Sequence, residues 1–386
     1  MTDRILSKEE LEQVRRGYHA DPATSLSLRA EAYTQARWYD IDQAAIIGKS
    51  WQWVCHVERL RKPGSYVTTR IADNPILIVR GKDETLRAFY NVCKHRAMQL
   101  YEGEGKTSKI MCPYHAWTYD LTGQLVRAPE TDNLVAFNVN DICLDLVQVE
   151  EFCGFVYVNL DPNAASLAEQ SGTLSSEINL WAPDINELTF AHRLTYEIKS
   201  NWKNVIDNFL ECYHCPVAHK DFVSLVDMDT YTVTTHGIYS SHMAEAGKSS
   251  NTAYSIDHAT VKDHAVWWLW PNTCIMRYPG RGNVIVMNVI PAGRDKTLET
   301  YDFFLESAEP IEAELESIKY LDEVLQQEDI WLVENVQRGM ETPAFEQGRI
   351  VHDPNGSGKS EHAVHHFHGL VLDAYQRACE SSHESN

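Results

Sequence analysis

The chain runs to 386 residues, 44% hydrophobic and 10% aromatic, with a formal net charge of −21. That length exceeds the usual ceiling for one hydrophobic core, so two domains are expected, and the composition is that of a folded globular protein. The acidic excess excludes a nucleic-acid partner, whose phosphates demand a basic surface, and says little about a small-molecule substrate.

The first stretch, MTDRILSKEELEQ, is charged and helical in pattern and lacks the apolar core of a signal peptide. No apolar run approaches the roughly 20 residues needed to span a bilayer. A cytoplasmic protein with no membrane partner is the expectation. The helical texture continues through LSLRAEAYTQARWYDIDQAAI, so residues 1–45 are predicted as helical. From 46 to 165 the segments become short and rich in β-branched and aromatic residues: YVTTRI, PILIVRG, TLRAFYNV, CPYHAWTYD, QLVRAP and FCGFVYVNL. Turn signals at Gly81-Lys82-Asp83 and Thr122-Gly123 punctuate them, which predicts a small all-β domain.

Residues 166–386 read as a mixed α+β domain. LTFAHRLTYEI is predicted as a strand and SNWKNVIDNFLECYH as a helix. VWWLWPNTCIMRY and NVIVMNVIP are further strands, and IEAELESIKYLDEVLQQEDIWLVENVQRGM is helical. Nine cysteines, an odd count without an export signal, fit reduced thiols and metal ligands better than a disulfide framework. Cys55, Cys143, Cys153, Cys274 and Cys379 read as small core residues.

Two Cys-His pairs stand out in the loops of the predicted β domain. Cys93 and His95 form C-x-H, and Cys112 and His115 form C-x-x-H. Three readings compete: unrelated positions, a Cys2His2 zinc site, or a [2Fe–2S] cluster in which two Cys hold one iron and two His the other. Zinc spacings usually put Cys with Cys and His with His, whereas here each loop offers one ligand of each kind. This mixed pattern resembles the Rieske signature, although Lys94 stands where most members carry proline. The resemblance implies that Cys93, His95, Cys112 and His115 bind a Rieske [2Fe–2S] cluster.

A cluster of that kind moves single electrons and needs an acceptor. In NWKNVIDNFLECYHCPVAHKDF, Trp202, Val205, Ile206, Phe209 and Leu210 define a buried stripe, and Asp207, Glu211 and His214 a second stripe at i, i+4 and i+7. Pro216 is expected to end the helix at Cys215, bringing His219 from the turn beyond to face His214. Two imidazoles plus one carboxylate describe the facial triad of non-haem Fe(II) oxygenases; a helix cap and a loop residue are the plainer alternative. Asp329 is the candidate third ligand. Leu325, Leu332, Val333 and Val336 surround it at helical spacing, so an unpaired charge there would be costly. Glu334 is its rival, and a buried Asp–Arg pair the alternative.

The words E-x-x-H-x4-H and then E-D-x4-E-x-x-Q-R-G resemble the catalytic domain of Rieske oxygenase α subunits, and the resemblance covers nearly the whole chain. It implies an α+β fold in which a small all-β Rieske domain is inserted in a larger catalytic domain, an antiparallel sheet flanked by helices that include the N-terminal ones. It also implies a mononuclear Fe(II) held by His214, His219 and Asp329. The implied partners are O2, a small-molecule substrate, an NAD(P)H-dependent flavin/iron–sulfur reductase and two further copies in a homotrimer. Glu211 occupies the place where the family usually has Asp, as the bridge between the two metal sites of neighbouring subunits. That Glu, with FLECYHC and VENVQRG, resembles the monooxygenases of carnitine, choline and glycine betaine. The expected reaction is oxidation of a quaternary ammonium C–H bond by hydroxylation, N-demethylation or C–N cleavage. An aromatic ring-hydroxylating or O-demethylating oxygenase is the alternative within enzymes, and a Rieske electron carrier or a zinc-stabilised binding protein lies outside them.

Two further features complete the reading. A permanent cation seeks aromatic faces, so Trp268 and Trp270, on one side of a predicted strand, are candidate cage residues; a plain aromatic core is the alternative. His362, His365, His366 and His368 in HAVHHFHG are expected to be solvated histidines at a helix start rather than a third metal site.

Overall fold

A computed structural model describes residues 6–247, 251–257 and 259–384. Residues 1–5, where the predicted N-terminal helix begins, lie outside them. Two units make up the chain: Ile47–Glu169, and Met1–Ile46 together with Gln170–Asn386. The smaller is an insertion in the larger, and no described helix is long and apolar enough to cross a membrane.

The inserted unit is a β structure. Its main sheet runs, neighbour by neighbour, Gln52–His56, Phe155–Asn159, Leu146–Phe152, Leu86–Tyr90, Asn74–Arg80, Ser65–Ile71 and Glu104–Lys106, every pair antiparallel. A second sheet joins Ile110–Met111, Thr118–Tyr119 and Leu125–Arg127. The alternation of the strands turns Leu77 and Val79 to one side, where they meet Phe89, Ile110, Tyr119 and Leu125 in a single core. Gly123, in the last turn of the small sheet, has φ of 91°, and a Cβ there would come within 2.6 Å of the Phe89 ring. Only glycine fits that turn.

The larger unit is built on seven antiparallel strands in the order Thr189–Ile198, Lys296–Leu305, Asn283–Gly293, Thr273–Arg277, His264–Leu269, Tyr239–Ala244 and Thr232–His236. The amphipathic helix Trp202–Phe209 buries Trp202, Val205 and Ile206 and contacts the strand Asn283–Gly293 and the helices Gln326–Met340 and His362–Glu384. A charged pair ties the N-terminal segment into this arrangement. Lys203 and Asp42 are both fully buried and ion-paired, and Asp42 also accepts from Trp202 Nε1 at 2.9 Å and Tyr375 OH at 2.6 Å. Buried charges persist only with such a complement of partners.

Several local expectations are corrected. The helix after Asn201 stops at Phe209, not at Cys215. Beyond it, Cys212 N–H donates to the Gly358 carbonyl at 3.0 Å, and the N–H groups of Tyr213 and His214 turn to the Glu211 carboxylate. Pro216 instead opens the short helix Cys215–Ala218, where its missing N–H is no loss. VWWLWPNTCIMRY is a hairpin rather than one strand, because Pro271 cannot donate to a ladder and the chain turns at Trp270–Asn272. The HAVHHFHG histidines are half-buried (His362, His366) or buried (His365, His368) rather than solvated. The four rings bond to the carbonyls of Val233, His19 and Gly237 and to Asp207. Cys143 is exposed and Cys153 half-buried, unlike the core positions of Cys55, Cys274 and Cys379. Cys212 and Cys215 form a disulfide across three residues, a local staple rather than a framework.

Candidate metal centres

In the inserted unit, two loops of the same build face each other. Cys93 N–H donates to the Met98 carbonyl at 2.8 Å and Ala97 N–H to the Cys93 carbonyl at 3.0 Å. The second loop repeats this: Cys112 N–H to Trp117 O at 2.8 Å, Ala116 N–H to Cys112 O at 3.1 Å. Ala97 and Ala116 both sit in the left-handed region, at φ 55° and 57°, a strain that residues with a Cβ adopt where the surroundings impose it. Both cysteines are buried and both histidines exposed. The His95 and His115 rings lie 4.7 Å apart, and His95 stacks on Trp117. Burial raises the Cys112 thiol above its ordinary value and the neighbouring Cys93 adds to this, so losing the Cys112 proton calls for a cation. Two sheltered sulfurs opposite two accessible imidazoles suit a [2Fe–2S] cluster with distinct ends. The Lys94 departure has a use here: its N–H donates to Tyr119 OH at 3.0 Å, which lies 3.3 Å from Cys93 Sγ. Proline has no N–H to give.

In the larger unit, the structure brings His214, His219 and Asp329 together, with ligand atoms within 4.8 Å of one another. The histidines bracket the short helix Cys215–Ala218, and Asp329 lies in the helix Gln326–Met340, just after a π-helical turn at Leu321–Leu325. His214 Nε2 is 3.0 Å from His219 Nε2, and Asp329 Oδ1 is 3.0 Å from His219 Nε2 and 3.6 Å from His214 Nε2. Bonds of about 2.1 Å to one ion set neighbouring ligands at right angles about 3.0 Å apart, so the three atoms fit one face of a metal. The other ring nitrogens are held by carboxylates. Glu211 Oε1 is 2.5 Å from His214 Nδ1, and Glu328 Oε2 is 2.8 Å from His219 Nδ1. Accepting from Nδ1–H, each carboxylate leaves Nε2 with its lone pair for the ion. Burial opposes charge on His219, but Asp329 and then Glu328 hold the metal-free imidazole up at about 9. Glu334 is turned elsewhere and accepts from Lys199 N–H.

A pocket opens over the triad, lined among others by Phe209, Phe222, Tyr231, Tyr278, Tyr301 and Glu299, and by no lysine or arginine among the described residues. Burial, then the Asp329 charge, raises the Glu299 carboxyl to about 8, against the opposing Gln326 hydrogen bond. Burial keeps the lining His264 neutral, at about 3. Trp268 and Trp270 are not in this lining. Trp268 is fully buried, edge-on to Trp270 and Phe367, and Trp270 sits in the turn rather than on the strand, so both belong to the core. Sequence spacing passed over Glu328 and Glu299, and for Glu328 the one available sign was its place beside Asp329.

Two family models match the chain: the Rieske [2Fe-2S] domain over residues 50–140 and the ring hydroxylating alpha subunit (catalytic domain) over residues 185–377. An iron–sulfur unit inserted in a non-haem iron catalytic domain defines an oxygenase. The chain belongs to the Rieske-type ring-hydroxylating oxygenase α subunits, with a [2Fe–2S] cluster and a mononuclear iron as cofactors. The carnitine monooxygenase oxygenase subunit of Escherichia coli (strain K12) is 37% identical over 359 residues, 92% of this chain and 96% of that subunit. The chloroplastic choline monooxygenase of Beta vulgaris is 32% identical over 366 residues, 92% of this chain and 78% of that protein. A solved quaternary ammonium Rieske monooxygenase, described for carnitine oxidation by gut microbiota and inter-subunit electron transfer, matches with a TM-score of 0.87 at 35% identity, over 93% of this chain and 98% of that one.

Proposed function

We propose that this chain is the oxygenase component of a two-component monooxygenase that oxidises a C–H bond of a quaternary ammonium compound. The observation that carries the reading is the pocket over His214, His219 and Asp329, which is aromatic and acidic and offers no lysine or arginine among the described residues. Such a lining favours a cation, because aromatic faces and carboxylates both attract fixed positive charge. The substrates named for the carnitine and choline relatives are of that class. When bound, the cluster and the ferrous iron supply single electrons and the activation of O2 for C–H oxidation.

The residues have separate tasks. Cys93, Cys112, His95 and His115 hold the cluster, with the sulfurs inside and the imidazoles at the surface, where electrons enter and leave. His214, His219 and Asp329 hold the iron, and Glu328 fixes the orientation of His219. Glu211 fixes His214 and bridges it to His115 of a neighbouring copy, so the working assembly is a homotrimer. A cytoplasmic NAD(P)H-dependent flavin/iron–sulfur reductase supplies the electrons.

The test is substrate-dependent O2 uptake with a generic reductase, screening carnitine, γ-butyrobetaine, choline, glycine betaine, stachydrine and simple aromatic acids. Uptake is expected with a quaternary amine; uptake with aromatic acids alone would overturn the reading. With iron in excess, so that both centres are filled, Glu211→Ala should lose turnover. A single-turnover rate equal to wild type would remove the bridging role.

A further inference from the structure

Glu299 is a buried carboxylate without a basic partner among the described residues. It lies on the strand Lys296–Leu305, is 1% exposed, and lines the pocket over the iron triad. Among the described residues no lysine, arginine or histidine pairs with it. Its hydrogen-bond donor is the neutral amide Gln326 Nε2, whose own oxygen accepts from Tyr301 OH at 2.7 Å. The contrast with Asp42 is sharp, since that buried carboxylate has a lysine, a tyrosine and an indole. A carboxylate two residues from Tyr301 shares its face of the strand, so the acid and the ring present themselves together. Tyr278 and Phe222 complete the same lining. Burying a carboxyl without a counter-ion is unfavourable, and in the metal-free chain it sits high for that reason. Positive charge arriving in the pocket is what this side chain lacks.

We propose that the Glu299 carboxylate receives the ammonium head of the substrate, with the rings of Tyr301 and Tyr278 beside it, and so decides that the substrate is a cation. The assignment rests on the reading above and names the residue that enforces it. A permanent ammonium gives no proton to an acceptor, so recognition is by charge and by aromatic faces, and Gln326 keeps the carboxylate turned into the pocket. Anchoring the head at this strand leaves the rest of the molecule to present its C–H bonds to the triad.

The experiment compares choline with 3,3-dimethylbutanol, its neutral carbon isostere, and carnitine with its own neutral-head analogue, on the iron-loaded holoenzyme. Wild type should bind the cation of each pair at least about thirtyfold more tightly, the scale of a buried charge that loses its partner. Glu299→Gln keeps the shape and the Gln326 contact. It should erase that preference while leaving the affinity for the neutral analogue, the iron content and the cluster spectrum unchanged. Glu299→Asp should restore part of it. Wild type that binds the neutral analogues as well as the cations would overturn the proposal without any variant, and so would a Glu299→Gln enzyme that still prefers cations. Equal weakening of both ligands would mark a purely structural role and also overturn it. If wild type oxidises no quaternary amine but does oxidise aromatic acids, the underlying reading falls. Turnover of amines with preference unmoved in Glu299→Gln sinks only the role of Glu299.

Discussion

Glu211 and Glu328 each grip the outer nitrogen of a histidine whose inner nitrogen faces Asp329. Carboxylates in that position typically contribute ten- to a hundredfold to metal affinity. Glu328→Ala should therefore weaken Fe(II) binding by about that factor, read by anaerobic metal titration, with the cluster signal intact. Unchanged affinity would show that His219 is oriented by packing alone. The same geometry sets a pH dependence. His219 stands at about 9 in the metal-free chain, raised from 6.5 by Asp329 and Glu328 against burial. A raised imidazole stabilises the metal-free fold below 6.5 and loses that contribution as pH rises through 9. Iron must displace the same proton, so apparent affinity should climb with pH up to that value, by at most about tenfold per pH unit. Equal affinities at about pH 6.5 and about pH 8.5 would contradict this. Spacing singled out the two histidines and apolar surroundings singled out Asp329, and the structure groups these three side chains, whereas nothing in the spacing marked Glu328. One residue from Asp329 on a helix, it points about 100° away and looks unrelated until the histidine ring places a nitrogen on each side.

Elements were legible where local chemistry governs them and illegible where distant partners do. The strands of the inserted unit follow β-branched runs and turn residues, and Gly123 marks its turn because nothing larger fits beside Phe89. The end of the helix Trp202–Phe209 has no such mark, since Leu210-Glu211-Cys212-Tyr213 contains neither glycine nor proline. What stops it is the Gly358 carbonyl and the Glu211 side chain, one of them remote in sequence. Pairing Trp268 with Trp270 by alternation carries the strand one residue too far, since it ends at Leu269 and Trp270 already lies in the turn that leads into Pro271. As a core residue against Phe367, Trp268 should cost about 3–5 kcal/mol of stability when replaced by alanine, measured by denaturant unfolding. KM should then change in the same proportion for cationic and neutral substrates. A loss confined to quaternary amines would return it to the binding site.

At the scale of the molecule, one unit carries the Cys93–His95 and Cys112–His115 loops and the other the His214–His219–Asp329 cluster, and iron analysis should find about three irons per chain. Mild chelation should remove one and abolish turnover while the cluster's colour persists; loss of all three together would mean that the centres do not stand apart. The interrupted order of the chain also dictates a sequence of events during synthesis. Asp42 emerges early but finds its charge partner only at Lys203 and its last donor only at Tyr375, whereas every strand of the insertion lies between 47 and 169. On the ribosome the electron-carrying part can mature while the enclosing part still waits for its closing helix, holding an unpaired acid exposed to water. Stalled nascent chains should accordingly become protease-resistant over the insertion first, and the flanking segment before it should stay cleavable until the helix His362–Glu384 has emerged.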